Sequence, residues 1–444
     1  MRVLLVSTYE MGRQPFGLAS PTAWLRAAGH EVTQADVSVT PMPGAAVESA
    51  GLIAFFLPMH TATKLFLRLV ARVRSVNPEA HLCAYGLYAP LNERVLRGAG
   101  VGTILGGEFE SGLCDLAARL GGGAAQTASP LISIERQQFL VPDREGLPPL
   151  GAYAQLVVQR GTRRVGYTEA SRGCKHLCRH CPVVPVYQGR FRVVQGEVVL
   201  EDIRRQVAMG AAHITFGDPD FFNGTGHAMP IVRALHEEWP WLSYDVTIKV
   251  SHLLQHRDLL PELKETGCAF VTSAVESLDD AVLARLDKGH TRAGFVEALE
   301  VTRAIGLPLA PTFIPFHPWT TLASYREFLA SLAALDLHTQ VAPIQLAIRL
   351  LIPEGSLLLQ LPEIRELVGL FDGRALYYPW RNADPAVDAL CSQIQAVIKR
   401  EEKVRTPRAE IFRQIWDLAE CGEFPDVPLA ARATIPYLTE PWYC

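Results

Sequence analysis

Three cysteines crowd into eight residues of this chain: Cys174, Cys178 and Cys181, in the run Ser171-Arg172-Gly173-Cys174-Lys175-His176-Leu177-Cys178-Arg179-His180-Cys181-Pro182. The other six, Cys83, Cys114, Cys268, Cys391, Cys421 and Cys444, are scattered singly. Thiolates are the usual ligands of iron–sulfur clusters, and a cubane has four irons. A Cys-x3-Cys-x2-Cys set serves three of them and leaves one iron open to a substrate or cofactor. Zinc is the competing occupant, because it prefers four tetrahedral ligands and His176 or His180 would supply the fourth. Structural zinc sites usually show ligand pairs separated by a longer loop. The two histidines read more simply as polar loop residues.

The triplet follows a candidate strand at 166–170. Further candidate strands at 213–217, 244–250, 269–275, 309–316 and 344–352 alternate with helical patterns such as 200–209 and 322–335. Six strand–helix repeats predict a partial (β/α)6 barrel, with chemistry at the carboxyl ends of its strands. After Gly355 the pattern turns mostly helical, clearest over 388–402, and the last dozen residues look extended. Upstream, apolar runs at 2–7, 51–57, 81–86 and 102–105 alternate with helical patterns at 21–28, 62–75, near Leu91 and at 108–120. That alternation implies a Rossmann-like parallel sheet, whose ligands sit beyond the carboxyl ends of its strands. The stretch 121–164, with prolines at 130, 142, 148 and 149, reads as a connection with room for one hairpin. The expected organisation is α/β: a Rossmann-like domain at 1–122, a linker at 123–165, a partial barrel at 166–356 and a mostly helical extension at 357–444.

Composition narrows the class. The chain has 444 residues, 49% of them apolar, and a net charge of -4 with no long Lys/Arg run. That argues for more than one domain and against a nucleic-acid footprint. No stretch approaches the ~18 to 20 apolar residues of a membrane span, and the apolar start is too short for a signal-peptide core. The expectation is a cytoplasmic protein that does not engage a membrane, with its cysteines reduced.

The cysteine run resembles the radical SAM (S-adenosylmethionine) superfamily, whose hallmark is this spacing on the loop after the first barrel strand. The resemblance implies a 4Fe–4S cluster whose open iron chelates the amino and carboxylate groups of SAM. It also implies reductive cleavage of a carbon–sulfur bond, usually releasing a 5′-deoxyadenosyl radical, and an electron donor such as flavodoxin or ferredoxin. Ile214-Thr215-Phe216-Gly217-Asp218-Pro219-Asp220 is similar to the glycine-glycine-glutamate-like element that grips the SAM amino group. There Asp218 would accept the hydrogen bond and Gly217 would let the backbone approach. Ser273-Ala274-Val275-Glu276-Ser277 ends the fourth strand, where the family often contacts SAM, making Glu276 a candidate. The plainer reading of both is a strand terminus before a helix cap, with Asp279 as one cap. Lys249, Thr312, His317 and Arg349 are placed only near the cleft.

The N-terminal sheet before such a barrel looks like the cobalamin-binding subclass, and residues 12–21, Gly-Arg-Gln-Pro-Phe-Gly-Leu-Ala-Ser-Pro, resemble its first loop. The resemblance puts Gln14, Phe16 and Gly17 at a cobalamin site, with His60, Gly106 and Gly107 from later strand ends. The chain departs from the cobalamin motif, since no Asp-x-His-x-x-Gly occurs. Two readings follow: cobalamin held without that histidine ligand, which we favour, or a domain that has lost it. Pro436-Tyr437-Leu438-Thr439-Glu440-Pro441-Trp442-Tyr443-Cys444 resembles the end of a radical SAM group named for a Cys-Cys-Ala-Glu-Pro or Cys-selenocysteine-Ala-Glu-Pro tail. Either a selenocysteine codon was read as a stop, leaving Cys444 as half of a catalytic thiol–selenol pair, or Cys444 is a frayed terminal residue.

With cobalamin, the resemblance implies a transferase that methylates an unactivated carbon or phosphorus. Without it, a radical rearrangement or aminocarboxypropyl transfer is expected. The opposing class is a non-enzymatic, zinc-stapled binding module. Small molecule and peptide remain equally open as substrates.

Overall fold

The computed structural model describes residues 1–122, 129–425 and 433–440, so Cys444 lies outside the described residues. Six parallel strands form the first sheet: β1 (Arg2–Ser7), β2 (Glu31–Asp36), β3 (Leu52–Phe56), β4 (His81–Tyr85), β5 (Thr103–Gly107) and β6 (Ile132–Ser133), in the order β2-β1-β3-β4-β5-β6. Strand side chains alternate between faces. Leu4, Val6, Ile53, Phe55, Leu82 and Ala84 enter one apolar cluster, while Val3, Leu5, Leu52, Ala54, Cys83 and Tyr85 enter another. Both faces are therefore buried, which is why these strands read as unbroken apolar runs.

Strand β2 was not expected. Its sequence Glu-Val-Thr-Gln-Ala-Asp carries no apolar run, because it is an edge strand paired on one side only. Buried Gln34 makes up for this by donating to the carbonyls of Asp143 and Glu145 at 3.1 and 3.0 Å.

The second sheet is a curled half-barrel built from β7 (Gln155–Val158), β8 (Gly161–Thr168), β11 (His213–Phe216), β12 (Ser243–Thr247), β13 (Cys268–Glu276), β14 (Leu309–Phe313) and β15 (Tyr437–Leu438), in the order β14-β13-β12-β11-β8-β7-β15. Strands β8 and β11 to β14 run parallel, while β7 is antiparallel to both β8 and β15. Ile214, Phe216, Tyr244 and Val246 pack outward under the helices. The intervening His213, Thr215 and Asp245 face inward and bond to one another, at 2.9 Å for His213–Asp245 and 2.6 Å for Thr215–Asp245. The remaining pair, β9 (Ser171–Gly173) and β10 (Phe191–Val193), is a short antiparallel hairpin that carries the cysteine loop between its arms.

The sixth barrel strand expected at 344–352 is reduced to a parallel bridge, Phe316–Arg349. A 3-10 turn, Pro343–Leu346, occupies its start, since proline brings no N–H to a ladder. The connection at 123–165 carries more than a hairpin: β6 extends the first sheet and β8 already begins at Gly161. Helices Pro385–Lys403 and Arg408–Leu418 are the two long elements of the C-terminal part. No helix among the described residues is long and apolar enough to cross a membrane.

Arg172, two residues before Cys174, joins the two sheets. Its guanidinium bonds Glu110 at 2.7 and 3.0 Å, Glu108 at 3.3 Å and Glu169 at 2.7 Å. The rings of Phe109, Phe139 and Phe16 lie 5.0, 5.0 and 5.5 Å from it. Glu110 also accepts from Ser20, and Glu108 from Tyr187. Burial pushes the Glu108 carboxyl up to about 7 even though the Arg172 charge pulls it down. Arg144 is a second tie, binding Asp202 at 2.8 and 2.9 Å, Gln14 at 2.9 Å and the Tyr167 carbonyl at 2.7 Å. Arg172→Ala leaves buried carboxylates without their cation, a change that costs about 3–5 kcal/mol. We expect its melting temperature to fall by on the order of 10 °C in a thermal scan, with Arg172→Lys recovering only part. An unchanged transition would show that the joint carries no stability.

Candidate active site

The cysteine loop starts where β8 ends. Gly173 has φ +77, and a side chain there would strike the Tyr187 ring at 2.4 Å and the Arg190 carbonyl at 2.5 Å, so the turn into Cys174 requires glycine. Cys178 is buried, with Cys174 and Cys181 partly so, and the Cys181 N–H bonds the Cys178 carbonyl at 3.1 Å. Burial pushes the Cys174 thiol up and the Cys181 thiol up to about 12. Thiolates in such a place need a cation among them, and three cysteines on one loop fit a cluster that supplies it. Buried Lys288 adds positive charge nearby: burial lowers its pKa, but Glu276 and the thiols of Cys178 and Cys181 raise it further.

Asp218, at the end of β11, is spoken for by the protein. It accepts the Ala170 N–H at 2.9 Å and the Ser171 hydroxyl at 2.5 Å, and burial raises its carboxyl to about 7. It thus holds the start of the cysteine loop. Gly217 packs so tightly under Tyr167 that a Cβ would lie 1.9 Å from the phenol oxygen. Glu276 has φ +70 at a register shift in β13 and pairs with His180 at 3.1 Å and Lys288 at 3.3 Å. Lys288 had no signal in the sequence, because it meets Glu276 only through the fold. Of the residues expected near the cleft, Thr312 lines the barrel lumen and Lys249 is buried just beyond β12. His317 bonds Thr320 at 3.1 Å. Arg349 is engaged by Asp388 and lies 3.6 Å over the Trp380 ring.

The carboxyl ends of the two sheets face each other across a cavity of about 220 Å³. Phe16, Gly17, Phe56, Met59 and Gly107 line one side, with Tyr167, Gly173 and Gly217 on the other. Gly17 is where Phe56 packs, since a Cβ would meet that ring at 2.3 Å, and Gly107 has φ +72 against the Ser133 carbonyl. Gln14, His60 and Gly106 do not line this cavity. Gln14 ties Arg144 to the Pro148 carbonyl, His60 Nε2 bonds the Ala375 carbonyl at 2.6 Å, and Gly106 packs on Pro90. Glu10, also on the wall, is 5% exposed and its Oε2 has no partner. Burial and the neighbouring Glu169 raise its pKa well above the usual range. A larger cavity of about 670 Å³ fills the barrel lumen, walled by Asp245, Phe270, Thr272, Thr312, Ile398 and Leu438. Arg13 borders both cavities, its guanidinium 4.8 Å over the Tyr167 ring.

Burial works to raise the Glu276 carboxyl, but Lys288 and His180 outweigh it and hold it at about 2. A depressed carboxyl stabilises the fold above its unfolded pKa of about 4.3 and loses that contribution as pH falls toward 2. The melting-temperature gap between wild type and Glu276→Gln should therefore shrink steadily on acidification below about pH 5. A gap independent of pH would remove the ion pairs as its cause.

Residues 168–332 match the family described as the radical SAM superfamily. The fold is similar to that of OxsB, a cobalamin-dependent SAM radical enzyme solved with aqua-cobalamin. The TM-score is 0.71 at 17% identity, over 94% of this chain and 71% of that one. It is also similar to TsrM from Kitasatospora setae, a radical SAM methyltransferase solved with cobalamin and a [4Fe-4S] cluster. Here the TM-score is 0.61 at 17% identity, over 77% of this chain and 74% of that one. In sequence, 151 residues are 28% identical to the hopanoid C-3 methylase of Methylococcus capsulatus, 34% of this chain against 29% of that protein. The match thus spans less than a third of that relative's length. The cysteine loop lies inside the part of the chain that matches the radical SAM superfamily, residues 168–332, and the fold around it is shared with cobalamin-dependent radical SAM enzymes.

Proposed function

We propose that this chain is a cobalamin-dependent radical SAM methyltransferase acting on an unactivated carbon or phosphorus. The observation that carries the reading is the cavity between the carboxyl ends of the two sheets. A group held on the first sheet there faces the cysteine loop directly. The names of the structural neighbours, OxsB and TsrM, and of the hopanoid methylase support it. In this reading residues 1–122 form the cobalamin-binding unit and 166–356 the radical SAM barrel.

The cavity walls suit a corrin in chemistry. Phe16, Phe56 and Met59 offer an apolar face, and Glu10 Oε2, buried without a partner in a carboxyl whose pKa burial raises, is placed to hydrogen-bond an amide arm. Phe16, Gly17 and Gly107 would touch cobalamin directly, while Gln14, His60 and Gly106 shape the loops around it. Cys174, Cys178 and Cys181 would ligate three irons. Gly217 would let the backbone approach SAM, whereas Asp218 and Glu276 act by fixing the cysteine loop through Ser171 and His180. The cluster and SAM supply reductive carbon–sulfur cleavage, and cobalamin supplies methyl transfer. The protein's share is to orient these groups and shield them from water. The lumen cavity, adjoining through Arg13, is the proposed substrate chamber, of a size for a small molecule or a peptide side chain.

The test is anaerobic reconstitution with iron and sulfide, then dithionite and SAM with and without cobalamin, and chromatography of the nucleoside products. Deoxyadenosine together with cobalamin-dependent S-adenosylhomocysteine is the expected pattern, and Cys178→Ala abolishes both. Methylthioadenosine in their place would assign aminocarboxypropyl transfer. Deoxyadenosine alone, indifferent to cobalamin, would assign a radical rearrangement. Either result overturns the methyl-transfer reading.

A further inference from the structure

Three metal-ligating side chains converge beside the cysteine loop without belonging to the cysteine set. His176 lies between Cys174 and Cys178, Asp220 follows β11, and His252 sits in the helix Val250–Gln255 after β12. One ligand atom from each lies within 4.8 Å of the other two. His176 Nε2 is 3.3 Å from His252 Nε2 and 3.7 Å from Asp220 Oδ2. His252 Nδ1 is 2.7 Å from the same oxygen.

Hydrogen bonding alone does not explain the cluster. Asp220 is 2% exposed, and neither its Oδ2 nor His252 Nδ1 has an aligned hydrogen-bond partner, despite their close approach. A buried carboxylate oxygen left without one costs free energy. The other oxygen, Oδ1, accepts the N–H groups of Phe222 at 3.2 Å and Lys249 at 3.5 Å, which aims Oδ2 at the histidines. Such outer bonds orient a ligand carboxylate in metal sites. Two imidazoles and a carboxylate suit Zn²⁺ or Fe²⁺. At the usual zinc–nitrogen bond length, tetrahedral ligands sit about 3.4 Å apart, near the 3.3 and 3.7 Å edges that His176 Nε2 makes with His252 Nε2 and Asp220 Oδ2. His252 would then ligate through Nε2, and its 2.7 Å contact with Asp220 through Nδ1 would orient the ring rather than form a ligand edge. His176, with 26% of its side chain exposed, leaves an entry path.

We propose that His176, Asp220 and His252 form a second metal site, distinct from the cysteine-held cluster, for a first-row dication of the zinc and ferrous type. Three protein ligands leave at least one coordination position for water or a substrate oxygen or nitrogen. The ion would tie the cysteine loop to the ends of β11 and β12, and it would stand whether or not the enzyme transfers methyl groups.

The probe is zinc, measured by equilibrium dialysis and elemental analysis on the full chain. The variant Cys174→Ala/Cys178→Ala/Cys181→Ala removes every cysteine of the loop, so zinc it keeps is held elsewhere. It should retain about one zinc per chain, and adding His252→Ala or Asp220→Ala should weaken retention at least tenfold. In cluster-loaded protein with its cysteines intact, His252→Ala should remove one zinc per chain while the iron count of about four stays. Zinc that leaves only with the cysteines, or that His252→Ala does not change, overturns the site. The cluster-loaded comparison decides should the cysteine-free variant fail to fold by circular dichroism.

Discussion

A guanidinium withdrawn from water is stable only where its charge is answered, and Arg172 is answered by three carboxylates drawn from two parts of the fold. Glu108 and Glu110 follow the last long strand of the first sheet, and Glu169 follows the first parallel strand of the second. The cost of dehydrating one of these charges alone is several kcal/mol, so none is tolerated unless the sheets dock with all of them in reach. Docking and the shape of the cysteine loop are therefore one event. Ser171 and Arg172 are fixed by Asp218 and the glutamates, and Gly173 then turns the chain into Cys174 with no freedom left to misplace it.

The same joint sets which ends of the sheets meet. Both are parallel and place functional loops at their carboxyl ends, and Arg172 brings those ends face to face. A group held on the first sheet needs no domain movement to reach the second. Arg13, shared by the two cavities and stacked on Tyr167, stands where traffic between them would pass.

What the sequence revealed and what it hid follow from the range of the interactions. The cysteine triplet is local, and its spacing carries its chemistry. The inner strands of the first sheet are buried on two faces and so announce themselves as apolar runs, while β11 and β12 of the second alternate apolar outward with polar inward side chains. The edge strand β2 lacks that signature through its polar side chains, whereas 344–352 carries it and yet forms only a bridge at Arg349, because a 3-10 turn opening on Pro343 takes up its start. Roles that depend on remote partners were out of reach: nothing near Glu276 in sequence points to Lys288 and His180, nor anything near His60 to Ala375. The glycines of the first loop were found for one reason and are needed for another, since Phe56 fills the space at Gly17.

Strand β15 pairs with β7 through Tyr437–Val157 and Leu438–Leu156, and Glu440 then meets Tyr9, 431 residues away. A contact of such sequence separation carries a large loop-closure entropy that must be met before it contributes anything. Until then β7 is a bare edge, and the lumen lacks the wall that Leu438 provides. Exposed edges are where chains pair wrongly with one another. A chain in which β15 had not yet paired would therefore offer β7 as an open edge, and one side of the lumen, to a neighbouring molecule's strand.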